Sequence, residues 1–228
     1  MTILNTDALI LAGGFGMRLR SVVKQLPKSM APVNSYPFLW YLLMSLYKQG
    51  IRRAFISLHY LSKVVINYFG NHFYEMELYY FIEPIPLGTG GAILFCLKKI
   101  NSKKNIFILN GDTYSSCNLE EMNENYFKNN EKSILSIAVT VVKNAKRYNC
   151  VAMQDERITS FCENFGSKNW INAGIYLASP KLKEVLNEIF NEKFSFENDF
   201  LKKYCNRYFF SYFIFFGNFF DIGIPKRL

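Results

Sequence analysis

The first half of the chain alternates between short apolar runs and longer stretches whose apolar residues recur at helical spacing. The short runs predict buried strands, and the longer stretches predict the helices that connect them. Strands are expected at residues 8–11, 54–60, 78–83 and 105–109. Helices are expected at residues 37–49 and 61–69, from the end of an 83–89 loop through Lys99, and from Asn118 through Asn129. This alternation favours an α/β fold with a doubly wound, mostly parallel, Rossmann-like sheet.

The pattern changes after residue 134, where short strands follow one another with little helix between them. They are expected at residues 134–142, 150–154, 157–163 and 171–178, and within the aromatic run 208–220. Ser179 and Pro180 predict the start of another helix, with the serine as N-cap and the proline at the first helical position. The second half should therefore form a small antiparallel lobe packed on the first. Because no Gly-, Ser- or Pro-rich linker intervenes, we interpret residues 1–228 as a single domain with halves 1–133 and 134–228.

The helix expected at residues 37–49 is apolar on nearly all sides and ends before Gly50. One buried face does not need that much apolar surface, so the helix should be fully buried or lie at an interface. A homodimer is therefore among the assemblies we expect.

Half of the 228 residues are apolar and a fifth are charged, as in globular proteins with a substantial core. The formal net charge of +9 suits an anionic ligand. The basic residues alternate with acidic ones, however, and the lysines at positions 98, 99, 103 and 104 are typical of a solvated turn. A nucleic-acid binder, which would rest on net charge alone, is the least favoured class.

The cysteines and the apolar runs both indicate a cytoplasmic protein without a membrane partner. The five cysteines are widely spaced and include no Cys-x-x-Cys pair, which is typical of reduced thiols. Asp7 interrupts the first apolar stretch and no basic segment precedes it, so no signal peptide is expected. The run 208–220 is too short to span a bilayer and is broken by Gly217 and Asn218.

A glycine-rich loop follows the first predicted strand. Gly13, Gly14 and Gly16 allow a tight turn that presents backbone N–H groups to an anion, most often a phosphate chain. Arg18 follows at once, and Lys28 comes ten residues later behind a proline. No Gly-Lys-Ser/Thr closes the loop as in a P-loop, and residue 19 is leucine where a dinucleotide fingerprint needs a third glycine. An ordinary strand–turn–helix junction is the alternative, but the two cations favour a triphosphate site.

Residues 11–33, LAGGFGMRLRSVVKQLPKSMAPV, resemble the signature of the sugar-1-phosphate nucleotidyltransferases. That signature reads approximately L-A-G-G-x-G-T-R-L, then P-K-P and a hydrophobic residue with P-V; here Met17 replaces the threonine and Ser29 the second proline. Residues 86–92, PLGTGGA, resemble the form found in the D-glycero-α-D-manno-heptose 1-phosphate guanylyltransferases. The resemblance covers nearly the whole chain.

The resemblance implies an enzyme that transfers a nucleotidyl group from a nucleoside triphosphate to a sugar 1-phosphate and releases pyrophosphate. The implied substrates are GTP and a heptose 1-phosphate, in the synthesis of surface polysaccharides. Mg²⁺ is the implied cofactor, since it binds one or two carboxylates together with phosphate oxygens and water. Asp112 and Asp221 match the metal-binding aspartates in their N-G-D and D-I-G contexts, although an aspartate at a strand end is more often a turn residue. Arg18, Lys28 and Asp112 are the expected catalytic residues.

The nucleotide should be bound by the glycine loop and by the 83–89 loop. A carboxylate at Glu83 could accept hydrogen bonds from two guanine donors, although uridylyl-transferring relatives also tolerate an acid there. The expected nucleotide-binding residues are Leu11, Ala12, Gly13, Gly14, Gly16, Glu83, Pro86, Gly88, Thr89 and Gly111.

The half formed by residues 134–228 should bind the sugar phosphate, through Tyr148, Glu163, Asn172 and Gly174. Two residues depart from the pattern of the family. Asn149 replaces a glycine, and Asn164 replaces a lysine that would contact the reacting phosphate. Lys143 and Lys168 are candidate replacements for that cation.

Two alternatives remain beside the guanylyltransferase. A thymidylyl- or uridylyl-transferring specificity is the nearest enzymatic one. A nucleotide-sugar-binding protein without catalysis is the other, because the missing lysine removes a charge-assisted contact to the substrate.

Overall fold

The computed structural model describes residues 6–14, 26–100, 102–129, 131–142, 145, 148, 150–162 and 170–222. Its helices are α1 (Phe38–Lys48), α2 (Ser62–Phe69), α3 (Gly88–Lys99), α4 (Leu119–Asn129), α5 (Lys181–Ile189) and the short α6 (Lys202–Tyr204). A 3₁₀ turn at Lys28–Met30 and a π-helical turn at Phe196–Leu201 complete the helical elements. Among the described residues, no helix combines the length and the apolar character that crossing a bilayer requires.

The strands come in two groups. Those of the first half are β1 (Asp7–Leu11), β2 (Pro32–Val33), β3 (Tyr36–Pro37), β4 (Arg53–Leu58), β5 (His72–Phe73), β6 (Met76–Ile82), β7 (Ile106–Asn110) and β8 (Thr113–Ser115). Those of the second half are β9 (Leu135–Val141), β10 (Cys150–Gln154), β11 (Arg157–Cys162), β12 (Trp170–Ala178), β13 (Phe210–Ile214) and β14 (Phe219–Asp221). The aromatic run 208–220 thus contains strands, as expected.

Ten of these strands form one mixed sheet in the order β10-β11-β13-β9-β12-β7-β1-β4-β6-β5. Strands β6, β4, β1 and β7 run parallel to their neighbours in this group, as the alternation of strand and helix predicts. Strand β12 then lies antiparallel to both β7 and β9. The α/β class is confirmed, but the sheet as a whole is mixed rather than mostly parallel. The strands of the second half continue the same sheet instead of packing on it as a separate lobe.

Helices cover both faces of the sheet. The side chains of each central strand point alternately to the two faces, so both sets of side chains are buried. In β1, Ala8 and Ile10 pack with α1, α2 and α4, whereas Leu9 packs with α3, α5 and the π-helical turn. All three side chains are completely buried. A strand buried on both faces has no polar alternation, which explains its continuous apolar sequence.

The ends of two helices illustrate what local sequence can and cannot predict. Asn118 caps α4 as expected: its Oδ1 accepts from the N–H groups of Glu120 and Glu121 at 3.1 and 3.2 Å, and its Nδ2 donates to Glu121 Oε1 at 2.8 Å. The predicted N-cap of α5 is wrong. The Ser179 hydroxyl donates to the Ile134 carbonyl at 3.3 Å, and no side chain caps this helix. The Ile134 carbonyl, which is distant in sequence, accepts the hydrogen bond of this hydroxyl instead.

Helix α1 buries Leu39, Leu42, Leu43 and Leu46 against the sheet. On its remaining surface, Trp40 stacks with Tyr36 at 4.2 Å between ring centroids, and Tyr47 stacks with Tyr74 at 5.2 Å. Aromatic residues of the same chain therefore contact part of the surplus apolar surface. The homodimer stays a prediction.

Candidate active site

The carboxyl ends of the parallel strands β1, β6 and β7 meet at one edge of the sheet, where a cleft of about 380 Å³ opens. Ligands of open α/β sheets bind at such an edge. The residues that line the cleft are Leu11, Ala12, Gly13, Gly14, Lys28, Ser29, Glu83, Pro86, Leu87, Gly88, Thr89, Ala92, Asn110, Gly111, Asp112 and Lys193. The structure thus brings together every described residue that the sequence assigned to the nucleotide.

Two glycines are required where the strand ends crowd together. The Gly111 N–H donates to the Leu11 carbonyl at 2.9 Å, and a side chain at Gly111 would come within 2.6 Å of that carbonyl oxygen. A side chain at Gly13 would come within 2.7 Å of Glu83 Oε1. Gly14 differs, because a side chain there would meet open space. All three glycines line the cleft, and of the three Gly14 alone leaves room for a side chain among the described residues.

Glu83 is 6 % exposed and anchors the loop that follows β6. Its Oε1 accepts from the Ser57 hydroxyl at 2.8 Å, and its Oε2 accepts from the Leu87 N–H at 3.2 Å. Each carboxylate oxygen has two acceptor sites, so both retain one for a ligand. Glu83 can thus shape the loop and still accept hydrogen bonds from a base.

Two of the N–H groups at the N-terminus of α3 already have a partner in the chain itself. The N–H groups of Gly90 and Gly91 donate to the Phe194 carbonyl at 3.1 and 3.3 Å. Gly88 has φ +73°, and a side chain there would approach the same carbonyl oxygen to 2.5 Å. The Thr89 hydroxyl donates to Glu197 Oε2 at 2.6 Å and accepts from the Phe196 N–H at 2.8 Å. The Gly-Thr-Gly-Gly motif therefore docks α3 onto residues 193–197, in addition to lining the cleft.

Lys28 and Asp112 form an ion pair at the floor of the cleft. The 3₁₀ turn after Pro27 carries the lysine, and the end of β7 carries the aspartate. Their side chains are 18 % and 37 % exposed, and the Thr113 hydroxyl donates to Asp112 Oδ1 at 3.2 Å. The cation that the sequence assigned to the triphosphate thus contacts the carboxylate assigned to the metal.

Asp221 reaches the neighbourhood of Asp112 through a small antiparallel ribbon formed by β8 and β14. In this ribbon Asp221 lies opposite Thr113, and the Ile222 N–H donates to the backbone carbonyl of Asp112 at 3.1 Å. Asp112 lines the cleft, whereas Asp221 does not. Carboxylates are the side chains that a hard cation such as Mg²⁺ prefers, with ligand oxygens and water completing its coordination. The described ranges contain no group of three or more His, Cys, Asp or Glu side chains that could hold a metal unaided.

Asn172 and Gly174 connect to the cleft through Asn110. Gly174 has φ +69°, and a side chain there would come within 2.5 Å of Asn110 Nδ2. The Asn172 Oδ1 accepts from the Gly174 N–H at 2.9 Å, and its Nδ2 donates to the Tyr176 hydroxyl at 2.8 Å. These contacts fix the amide orientation at the point where the register of β12 shifts.

Tyr176 is completely buried behind Asn172. Burial, followed by the nearby Glu197 carboxylate, raises the pKa of the Tyr176 hydroxyl well above its usual range, although the Asn172 hydrogen bond opposes the shift. Glu197 also accepts from Thr89. The polar side chains of Glu197 and Tyr176 therefore lie between Thr89, in the loop expected to bind the nucleotide, and Asn172, which is expected to bind the sugar.

Tyr148 does not line the cleft. Its ring packs edge-on against Phe219, with 5.3 Å between centroids, in a small apolar cluster beside β14. Tyr148 therefore supports the strand that carries Asp221. Gly16, Met17, Arg18, Lys143, Asn149, Glu163, Asn164 and Lys168 lie outside the described residues.

The sequence did not single out three residues that matter to the site. Lys193 lines the cleft from the loop after α5, Asn110 lines it from the end of β7, and Glu197 anchors Thr89. Asn110 had a signal, since it opens the Asn-Gly-Asp run. Lys193 and Glu197 had none, because their partners lie far away along the chain.

Comparison with known proteins agrees with this geometry. The model of the nucleotidyl transferase family matches residues 7–228. The chain is 42 % identical over 179 residues to a D-glycero-α-D-manno-heptose 1-phosphate guanylyltransferase of Aneurinibacillus thermoaerophilus, covering 78 % of this chain and 76 % of that protein. It is 37 % identical over 222 residues to the Campylobacter jejuni enzyme of the same name, covering 96 % of both.

A solved structure shares the fold over nearly the full length. The crystal structure of HddC from Yersinia pseudotuberculosis superimposes with a TM-score of 0.84 at 34 % identity, covering 97 % of this chain and 96 % of that one. Its complex with GMP-PN superimposes with a TM-score of 0.83 at 33 % identity, with the same coverage. This chain belongs to the nucleotidyl transferase family.

Proposed function

We propose that the protein transfers the guanylyl group of GTP to D-glycero-α-D-manno-heptose 1-phosphate and releases pyrophosphate. The observation that carries this proposal is the cleft in which the glycine loop, Lys28 and Asp112 meet beside Glu83. The choice of GTP and heptose is supported by the two relatives of that name at 42 % and 37 % identity.

The reaction joins two anions, so charge neutralisation and alignment are its main requirements. An oxygen of the sugar phosphate attacks the α-phosphorus of GTP. The bond from the α-phosphorus to the bridging oxygen breaks, and pyrophosphate leaves with that electron pair. Lys28 stabilises the negative charge on the phosphates through a charge-assisted hydrogen bond. Arg18 is expected to act with it from the glycine loop.

Asp112 and Asp221 are the residues that would hold Mg²⁺. A bound Mg²⁺ neutralises charge on the phosphate oxygens and helps to orient them. The Lys28 ammonium contacts Asp112 in the free protein and lines the cleft in which the triphosphate would bind. One carboxylate therefore positions the lysine before the substrate arrives.

Glu83 and the backbone of the glycine loop are assigned to the guanine base. Glu83 lines the cleft, and each of its carboxylate oxygens retains an acceptor site beside its bond to Ser57 or Leu87. Guanine offers two neighbouring N–H donors to such an acceptor, whereas thymine and uracil offer one. This difference supports GTP over the thymidine and uridine triphosphates.

The sugar phosphate is assigned to Asn172 and Gly174, together with Glu163. Lys193 is an exposed cation at the cleft and is a candidate for the charge that Asn164 does not provide. On this assignment, Lys193→Ala raises the KM for the sugar 1-phosphate more than the KM for GTP. A lysine restored by Asn164→Lys should raise turnover if that missing charge limits the reaction.

Pyrophosphate release over a matrix of nucleoside triphosphates and sugar 1-phosphates, with and without Mg²⁺, tests the proposal. The expected result is release with GTP and the heptose 1-phosphate, only when Mg²⁺ is present. Release with a thymidine or uridine triphosphate instead would assign the alternative specificity. If no pair releases pyrophosphate while calorimetry detects nucleotide binding, the protein is a binding protein and the catalytic proposal fails.

A further inference from the structure

Ser29 follows Lys28 in the 3₁₀ turn, and its hydroxyl has no hydrogen-bond partner among the described residues. The residue is 3 % exposed and lines the same cleft as Lys28 and Asp112. A buried hydroxyl without a partner is unfavourable, because it has lost its hydrogen bonds to water and gained none in the protein. At the wall of a ligand site, a ligand can supply the partner that such a hydroxyl lacks.

Ser136 and Ser211 provide a comparison within the same chain. Their hydroxyls are also buried and without a partner in the described ranges, and they lie opposite each other on β9 and β13. Neither residue lines the cleft. Ser29 therefore shares their unfavourable burial but differs in having a ligand site beside it.

The surroundings of Ser29 favour an anion as the missing partner. Lys28 precedes it and Lys193 lines the same cleft, and the Asp112 carboxylate there is already paired with Lys28. A hydroxyl donates its strongest hydrogen bonds to charged oxygens. A serine side chain moves between staggered positions by rotation about one bond. The hydroxyl can therefore turn toward the cleft while the backbone turn that carries Lys28 stays in place.

We propose that the Ser29 hydroxyl donates a hydrogen bond to a phosphate oxygen of the bound nucleoside triphosphate, beside the oxygen that Lys28 neutralises. Ser29 is then a nucleotide-binding residue. Its hydroxyl is unfavourably buried in the free protein and gains a hydrogen-bond partner when the nucleotide binds. This inference rests on the proposed function, because it needs a triphosphate in the cleft.

Calorimetric titration of GTP with Mg²⁺ and without sugar phosphate tests the inference on the intact chain. Ser29→Ala is expected to raise the Kd for GTP about tenfold, the effect of one hydrogen bond to a charged acceptor. The same variant should unfold at a higher denaturant concentration than the wild type when no ligand is present, since the unpartnered hydroxyl is gone. Ser136→Ala is the matched control: it should also become more stable, with an unchanged Kd.

Ser29→Pro adds a second variant, because proline occupies this position in the nucleotidyltransferase signature and has no hydroxyl. It should weaken GTP binding as much as alanine does. A wild-type Kd in either Ser29 variant would overturn the inference and leave the proposed function intact. A weaker Kd accompanied by lower stability would also overturn it, since the serine would then act in packing. If the wild type binds no nucleoside triphosphate, the inference and the proposed function fail together.

Discussion

The ion pair between Lys28 and Asp112 has little value for folding. Both side chains keep contact with solvent, and such pairs contribute about 0–1 kcal/mol to the free energy of unfolding. The pair does place a cation and a carboxylate at the floor of the cleft, where phosphates and a metal ion are expected to bind. Its arrangement is therefore better explained by ligand binding than by stability.

Replacement of Asp112 by asparagine tests this interpretation. Asp112→Asn removes a carboxylate from the proposed metal site while keeping its size, so turnover should fall by about 10²–10⁴-fold. The free energy of unfolding should change by less than about 1 kcal/mol, because the lost ion pair is partly exposed. Pyrophosphate release gives the first quantity and urea unfolding the second.

Asp7→Asn is the matched control for Asp112→Asn. Asp7 forms a two-contact ion pair with Arg53 at 2.6 and 2.9 Å, at the opposite end of β1 from the cleft. Its loss should lower stability and leave turnover unchanged. Near-normal turnover in Asp112→Asn would refute the metal assignment.

Tyr176 is a positioning residue in our interpretation, because its hydroxyl holds the Asn172 amide. Tyr176→Phe should raise the KM for the sugar 1-phosphate about fivefold, the effect of one lost neutral hydrogen bond, with kcat and the Kd for GTP nearly unchanged. Tyr126→Phe is the control, since that buried hydroxyl donates to the Ser133 carbonyl at 2.7 Å, far from the cleft. Equal effects of the two variants on the sugar KM would contradict the assignment.

Individual residues of the site were predictable where a local motif carries them. Lys28, Asp112 and the glycines lie in short runs whose spacing already indicates phosphate chemistry. Thr89 lines the cleft as expected, but its bond to Glu197 was not foreseen, because 108 residues separate the two along the chain. Pairings of this kind depend on the folded chain and leave no local pattern.

At the scale of elements, the docking of α3 fixes one wall of the cleft. The Phe194 carbonyl accepts from the third and fourth N–H groups of the helix, those of Gly90 and Gly91, which an anion could otherwise use. A side chain at position 88 would meet the Phe194 carbonyl oxygen, and one at position 90 would meet the Phe194 ring, so both positions need glycine for this docking.

Gly88→Ala tests that packing, and Gly70→Ala is its control. Both glycines have positive φ, at +73° and +60°, so alanine is strained at each position, and at Gly70, where ψ is −148°, the backbone lies in a region almost confined to glycine. Only at Gly88 does the added carbon meet a backbone oxygen, at 2.5 Å, whereas at Gly70 it meets open space. Urea unfolding should show a loss of stability for both variants, but calorimetry should show weaker GTP binding for Gly88→Ala alone. Wild-type GTP binding in Gly88→Ala would contradict the role of this contact at the cleft.

The sequence predicted antiparallel strands in the second half, and their pairings are antiparallel except that of β9 with β13. The order of these strands was not predictable, because an apolar run such as Ile171 to Ala178 fits between any two strands that bury it fully. The choice is made by pairing, with β12 inserted between β7 and β9. The first half was more predictable, since a strand–helix–strand unit returns each strand in the same direction.

At the scale of the whole molecule, one continuous sheet unites the two halves of the site. Strand β12 brings Asn172 and Gly174 alongside β7, which carries Asn110, and the β8–β14 ribbon brings Asp221 to Asp112. The two proposed substrate sites therefore belong to one sheet.

The sheet also divides the interior into two apolar layers. Each layer contains a buried cysteine, whose accessibility to reagents shows whether the layer stays closed.

Cys96 and Cys117 lie in opposite layers, and burial raises the pKa of each thiol to about 12 from an ordinary value of 9.0. In the unfolded chain these thiols ionise near pH 9, while in the folded protein they stay protonated. Because the folded pKa is the higher one, their contribution to stability is complete below pH 9 and is lost as the pH rises toward 12. The free energy of unfolding should therefore fall between pH 9 and 10.5, by up to about 1.4 kcal/mol per pH unit for each thiol.

Urea unfolding at pH 7.5, 9 and 10.5 measures this loss, and the Cys96→Ala, Cys117→Ala double variant isolates the thiols from other groups that titrate in this range. The double variant is less stable at pH 7.5, because two buried side chains become smaller, but its free energy of unfolding should fall less steeply with pH. At pH 8, a reagent that modifies solvent-exposed thiols should label neither cysteine in the native protein and both cysteines in urea. Parallel pH profiles of the two proteins, or rapid native labelling of Cys96, would show that the layers open far more readily than their burial implies.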